Sequence, residues 1–178
     1  MATPNVSSVP SPPQPRALVR HYQAPEPVTD VPGCSIFLCG AIEHGSERWQ
    51  ERVHLALAAR VTADVTLFDP YRQDWDETWR NSADDARFAA QTEWELAQLG
   101  RADVVAVHLP RAPGLDAPAS LLELGLAVGA GKRVVVCCPD GFGRKGNVEV
   151  VCRRWEVTLV ETVEALVEVL AGEVAKGR

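Results

Sequence analysis

The sequence predicts a three-layer α/β fold, with a central parallel sheet of about five strands and helices on both faces. Three observations predict it. Short runs rich in Val, Ile and Leu alternate with longer segments of helical periodicity. The short runs are near-continuously apolar, as strands covered on both faces are. Polar and aromatic residues gather just after those runs, where open α/β sheets hold their ligands.

Size and composition bound the possibilities. The 178-residue chain is 46% hydrophobic and 24% charged, which suits one globular domain with a substantial core. A formal net charge of -6 argues against a non-specific hold on a nucleic-acid polymer. No apolar run approaches the roughly 20 residues of a membrane helix, and the N-terminal segment lacks the apolar stretch of a secretory signal. Cys34, Cys39, Cys137, Cys138 and Cys152 are odd in number, and two are adjacent in an apolar run. They read as reduced core residues of a cytoplasmic protein rather than a disulfide framework. Cys34, Cys39 and His44 match no zinc-ligand spacing, so no metal set is read.

The elements follow in order. Residues 1 to 30, rich in Pro and Ser at the start, read as a disordered extension. Within it, "ALVRHYQAPEPVTDVPG" has room for a short edge strand, but its prolines exclude a central one. The domain proper is read as 31–178. "CSIFLCG" is a buried strand ending at Gly40. "SERWQERVHLALAAR" places Trp49, Val53, Ala56 and Leu57 at helical spacing, with Ser46 as a cap. "DVTLF" is the next strand, stopped by Asp69-Pro70. "DPYRQDWDETWRNS" is too long for a plain connection, and such loops usually carry function. "ADDARFAAQTEWELAQLGR" is a helix, with Phe88, Thr92, Leu96 and Leu99 at 3-4 spacing. "ADVVAVHLP" is a strand, and "ASLLELGLAVGAG" a helix ended by Gly131. "KRVVVCCP" is a strand, "GFGRKGN" a loop, and "VEVVCRRW" a short strand or helical turn. "VTLVE" is the last strand, and "TVEALVEVLAGEVAKG" a closing helix capped by Thr162. Neither GxGxxG nor a Walker A sequence occurs, so no dinucleotide or P-loop signal is present.

Several side chains in these loops carry chemistry. Ser120-Leu-Leu-Glu123 fits a capping box, in which Glu123 reaches back to the cap's N–H. A carboxylate in the first turn of a helix beyond a strand end is also held ionised and aimed at the cleft. The two readings are compatible. Asp69, Arg72, Asp74, Trp75 and Asp76 crowd one loop. Asp74 and Asp76 alone would bind magnesium poorly. The plainer reading of this loop is a segment pinned by its tryptophans. The functional one is an aromatic platform, since stacking is worth roughly 1–3 kcal/mol per base. Glu93 and Glu95 lie on nearly opposite sides of one helix, and solvation is the plainer reading of each; Glu95 also shares a polar stripe with Gln91 and Gln98, and Trp94 beside it suggests a closely wrapped helix. Arg144, Lys145 and Asn147 follow glycines in a loop suited to an anion or a hydroxyl group. Arg72 and Arg144 are the candidates for holding a phosphate.

Together, "IFLCGAIEHGSERWQ", "DPYRQDWDETW", "QTEWELAQLGRADVV", "SLLELGLAVGAGKRVVV" and "GRKGNVEVVCRRW" resemble the nucleoside 2-deoxyribosyltransferase-like family. The most specific piece is Glu123-Leu-Gly-Leu-Ala followed by Gly131-Lys132 and a strand. The resemblance implies a flavodoxin-like, Rossmann-like three-layer sandwich and cleavage of the N-glycosidic bond of a nucleoside or nucleotide. It implies Glu123 as nucleophile and Glu95 as the acid that holds the sugar and handles protons. Gly40, Asp69, Arg72, Asp74, Trp75, Asp76 and Ser120 are the candidate substrate-binding residues. Asn147 matches a residue that a neighbouring subunit contributes in the family, which implies a homo-oligomer. Asp116 sits one residue further from Glu123 than the family's second loop carboxylate. The implied chemistry needs no cofactor, and a carboxylate below the sugar captures an oxocarbenium-like centre as an ester. A nucleotide-binding module without catalysis is the alternative.

Overall fold

The computed structural model describes residues 17–41, 48–76, 78–111 and 117–177. Six strands form one sheet: β1 (Val19–Gln23), β2 (Cys34–Gly40), β3 (Val65–Asp69), β4 (Val104–His108), β5 (Arg133–Cys137) and β6 (Thr158–Val160). Their spatial order is β1-β3-β2-β4-β5-β6, and every neighbouring pair is parallel. From β2 onward this is the flavodoxin-like order, with β1 added at the edge beside β3.

The strands alternate their side chains between two cores. Phe37, Cys39, Phe68, Val105, Val107 and Val136 face one side. Ile36, Leu38, Leu67, Val104, Ala106 and Val135 face the other. The first side is covered by α2 (Ala86–Arg101), α3 (Pro118–Gly129) and α4 (Lys145–Arg154); the second by α1 (Trp49–Arg60) and α5 (Val163–Lys176). Burying one such large side chain is worth about 1.5–3 kcal/mol, so the central strands anchor the whole sandwich.

Some sequence expectations need correction. β1 lies inside the segment read as an extension of 1–30, so the sheet starts earlier than that boundary. β1 lies at the edge of the sheet, and the proline-containing chain after it is strapped down. Trp94 Nε1 on α2 donates to the Glu26 carbonyl at 2.9 Å, and Tyr22 Oη donates to Asp30 Oδ1 at 2.8 Å. The segment "VEVVCRRW" is helical, and Lys145 to Asn147, read as loop, form the first turn of α4. The 88-92-96-99 stripe of α2 is not its core face. Gln91, Gln98 and Leu99 are buried, whereas Leu96 is exposed. That face meets a cavity and a loop rather than a continuous apolar layer, so polar residues occupy it.

Caps explain the helix boundaries. Asp85 accepts from the N–H groups of Arg87 (3.1 Å) and Phe88 (3.5 Å) at the start of α2. A bond from the Arg80 N–H, supported by these two, holds its carboxyl down at about 2. Thr162 caps α5 through the Ala165 N–H at 3.2 Å. Gly131 takes φ +69° after α3, a conformation that favours glycine. Lys132 Nζ donates to the Ala102 carbonyl at 3.0 Å, and Asp103 Oδ2 accepts from Ser35 N and Oγ at 2.8 and 2.7 Å. The Gly-Lys and Ala-Asp parts of the sequence signature therefore serve the fold, at the ends of the sheet opposite Gly40. The Ser46 cap and Asp116 lie outside the described residues.

Candidate active site

A cavity of about 320 Å³ opens beyond the carboxyl ends of β2 and β3, between α2 and α3. Its described walls include Gly40, Arg72, Trp75, Gln91, Glu95, Ser120 and Glu123. The volume is at the lower end of small-molecule sites. β2 and β4 are the strands at which the chain's winding reverses direction, and such a switch point leaves a crevice. β2 must end in glycine here. A Cβ at Gly40 would lie 2.6 Å from the His108 carbonyl oxygen and 2.8 Å from the Trp49 ring.

Glu123 projects from the second turn of α3, not the first. The helix begins at Pro118, and Ala117 before it takes φ +41° with no side-chain cap. Ser120 and Glu123 therefore form no capping box. Left-handed backbone at an alanine costs about 1 kcal/mol, and it turns the chain sharply into α3 at the cavity wall. Ser120 is buried inside the first turn. Beneath Glu123 lies the buried thiol of Cys39, which donates to Glu123 Oε2 at 3.0 Å. Burial raises the pKa of Glu123 above the usual carboxylate range, while the thiol bond works to lower it. The Cys39 thiol is itself raised well above its ordinary value, first by burial and then by Glu123. It is a proton-bearing donor, not a nucleophile.

Glu95 faces the same cavity from α2. Gln91 Nε2 donates to Glu95 Oε1 at 2.8 Å and to the Pro70 carbonyl at 2.9 Å. The amide oxygen of Gln91 is buried and has no hydrogen-bond partner among the described residues. It is a buried acceptor on a residue that lines the cavity. Burial pushes Glu95 up to about 7; the Gln91 bond opposes this and the Glu123 charge adds to it. Glu95 thus exchanges its proton near neutral pH, the property a general acid needs.

The aromatic loop is pinned by its tryptophans, and one of its rings stays open to the cavity. The Trp79 ring is pinned, with the Arg72 guanidinium 4.7 Å and the Arg87 guanidinium 5.3 Å from its centre. Trp75 rests at 4.9 Å from Trp79 and edge-on to Phe88, yet it stays 37% exposed at the cavity. Arg72 lines the cavity, but its charge is already engaged by Asp74 through bonds of 2.7 and 3.2 Å.

Of the sequence candidates, the structure brings together Gly40, Arg72, Trp75, Glu95, Ser120 and Glu123. Others stand apart. Asp69 is fully buried and holds His21, Gln23, Arg48 and the Tyr71 N–H. Asp74 pairs with Arg72, and Asp76 accepts from the Thr78 N–H at 2.8 Å in a turn. Asn147 is exposed in α4, outside this cavity. Sequence reasoning placed Cys39 in the core and missed its bond to Glu123. The available signal was position: Cys39 is the penultimate residue of a strand that ends at the cavity.

The geometry coincides with a family match. A family model described as "Nucleoside 2-deoxyribosyltransferase like" matches residues 33–142. The chain belongs to the nucleoside 2-deoxyribosyltransferase-like family. The matched span runs from the residue before β2 to Phe142, past the end of β5, and so contains both carboxylates of the cavity. No curated protein matches the chain. One similar solved structure is described as "Crystal structure of conserved protein from Enterococcus faecalis V583". It covers 76% of this chain and 95% of its own, at 16% identity and a TM-score of 0.49. No helix among the described residues is long and apolar enough to cross a membrane.

Proposed function

We propose that this member of the family cleaves the N-glycosidic bond of a nucleoside or nucleotide, with Glu123 as nucleophile. The observation that carries the proposal is the pair of carboxylates in one apolar-walled cavity. Glu123 has one oxygen held by a thiol, and Glu95 carries a proton that is labile near neutral pH.

In this reading the base stacks on Trp75, and the anomeric carbon sits over the free oxygen of Glu123. As the C–N bond breaks, its electron pair stays with the base, and Glu95 delivers a proton to that base. Gln91 holds one oxygen of Glu95 and leaves the other for the proton. Glu123 closes on the cationic carbon to give a glycosyl ester. A second base or a water then attacks the same carbon, Glu123 departs as carboxylate, and Glu95 takes up the attacker's proton. The buried amide oxygen of Gln91 accepts from a substrate N–H or O–H. Asn147, exposed on α4, is free to reach the site of a neighbouring copy in a homo-oligomer.

Chromatography of the purified protein with deoxynucleosides and their 5′-monophosphates tests this, with and without a second free base. Free base alone indicates a hydrolase; a new nucleoside formed only with the second base indicates a transferase. Glu123→Gln keeps the fold and abolishes either product. Equal turnover by wild type and variant sinks the assignment. Saturable nucleotide binding without product points instead to a binding module.

A further inference from the structure

Outside the cavity, His21, Glu51 and His54 meet on the opposite face of the sheet. One ligand atom from each lies within 4.8 Å of the others. Glu51 and His54 sit one turn apart on α1, the Glu-x-x-His spacing that presents two ligands on one helix face. His21 comes from β1, and its ring centre is 4.5 Å from that of His54.

Each group is arranged to ligate. The buried Asp69 stands behind His21, with Oδ2 3.2 Å from Nε2, and Nδ1 is the ring nitrogen that this carboxylate does not engage. A carboxylate behind an imidazole is the usual outer partner of a metal-bound histidine. His54 Nδ1 is buried and makes no hydrogen bond among the described residues. Glu51 Oε1 lies 3.9 Å from it, while Glu51 Oε2 faces Arg48 at 3.5 Å. Arg48 also reaches Asp69 Oδ2 at 3.3 Å, so it neutralises the outer carboxylates and leaves Oε1 to the histidines.

We propose that His21, Glu51 and His54 form a site for a divalent transition metal of the zinc type. Two imidazoles and one carboxylate suit such an ion, with water in the fourth position. Bonds of about 2.0–2.1 Å in tetrahedral geometry set the ligand atoms about 3.4 Å apart. From a spread of at most 4.8 Å the three groups close by up to about 1.4 Å to reach that, a movement within side-chain reach. The site ties β1, the strand added to the flavodoxin-like core, to α1.

The test uses the full chain, stripped with chelator and titrated with Zn²⁺ and Co²⁺. The proposal expects one metal per chain by calorimetry and a Tm that rises with metal concentration. It expects Co²⁺ d–d bands without a thiolate charge-transfer band. His54→Gln and Glu51→Gln each weaken binding roughly tenfold or more and lose the metal-dependent rise in Tm. Glu51→Gln alters a half-exposed side chain without changing its size and keeps the comparison valid if the histidine variant unfolds. No saturable binding, a thiolate band, or unchanged affinity in Glu51→Gln overturns the proposal.

Discussion

Glu95 makes a prediction that needs no substrate. In an unfolded chain its carboxyl ionises near 4.5; in the folded chain burial pushes it up to about 7. Each tenfold change in a protonation equilibrium is worth about 1.4 kcal/mol. Ionised Glu95 is therefore disfavoured in the fold by roughly 3 kcal/mol relative to the unfolded chain. The sign follows from proton binding. Below 4.5 both states hold the proton, and Glu95 adds no pH dependence. Between 4.5 and about 7 the unfolded state has released it and the folded state has not, so stability falls as pH rises through that window. Glu95→Gln removes the charge and keeps an oxygen for the Gln91 N–H. The assay is urea unfolding of wild type and Glu95→Gln at about pH 5 and about pH 8; taking the difference between the proteins cancels the other titrating groups. The variant's advantage should grow by roughly 2–3 kcal/mol between the two conditions. A difference that stays flat with pH refutes the reasoning, because it means that Glu95 ionises as freely in the fold as in water. Growth with the predicted sign marks a carboxylate kept at a cost in stability, as functional groups often are.

Three further outcomes follow. Gly40→Ala forces a Cβ against the His108 carbonyl and the Trp49 ring; overpacking of this kind costs about 1–3 kcal/mol, read as a lower Tm. Trp75→Ala removes the exposed stacking ring, so KM for a nucleoside should rise about 5- to 150-fold, the equivalent of about 1–3 kcal/mol, with no loss of fold by circular dichroism. Cys39→Ala deletes the donor that opposes the upward shift of Glu123; the acidic limb of the kcat/KM profile should move to higher pH, and an unmoved limb would mean the thiol merely packs.

The sequence by itself determined the sheet and the identity of the two carboxylates. Apolar runs such as "CSIFLCG" and "ADVVAVHLP" have no stable alternative to burial on both faces, so their place in the centre follows from composition. Glu123 stood out as a carboxylate among leucines, and Glu95 through the family resemblance, because its helix position alone read as solvated. Tertiary structure decided what surrounds them. A thiol reads as core in any sequence, and the fold alone sets Cys39 3.0 Å from Glu123. Asp69 sits at the same strand end as the cavity, yet the edge strand β1 captures it through His21 and Gln23. Residues 21 and 54 are far apart in sequence, and parallel pairing of β1 with β3 brings the first beneath α1. Periodicity records which face a residue takes on its own element. Which elements share that face is a property of long-range pairing, and no local pattern encodes it.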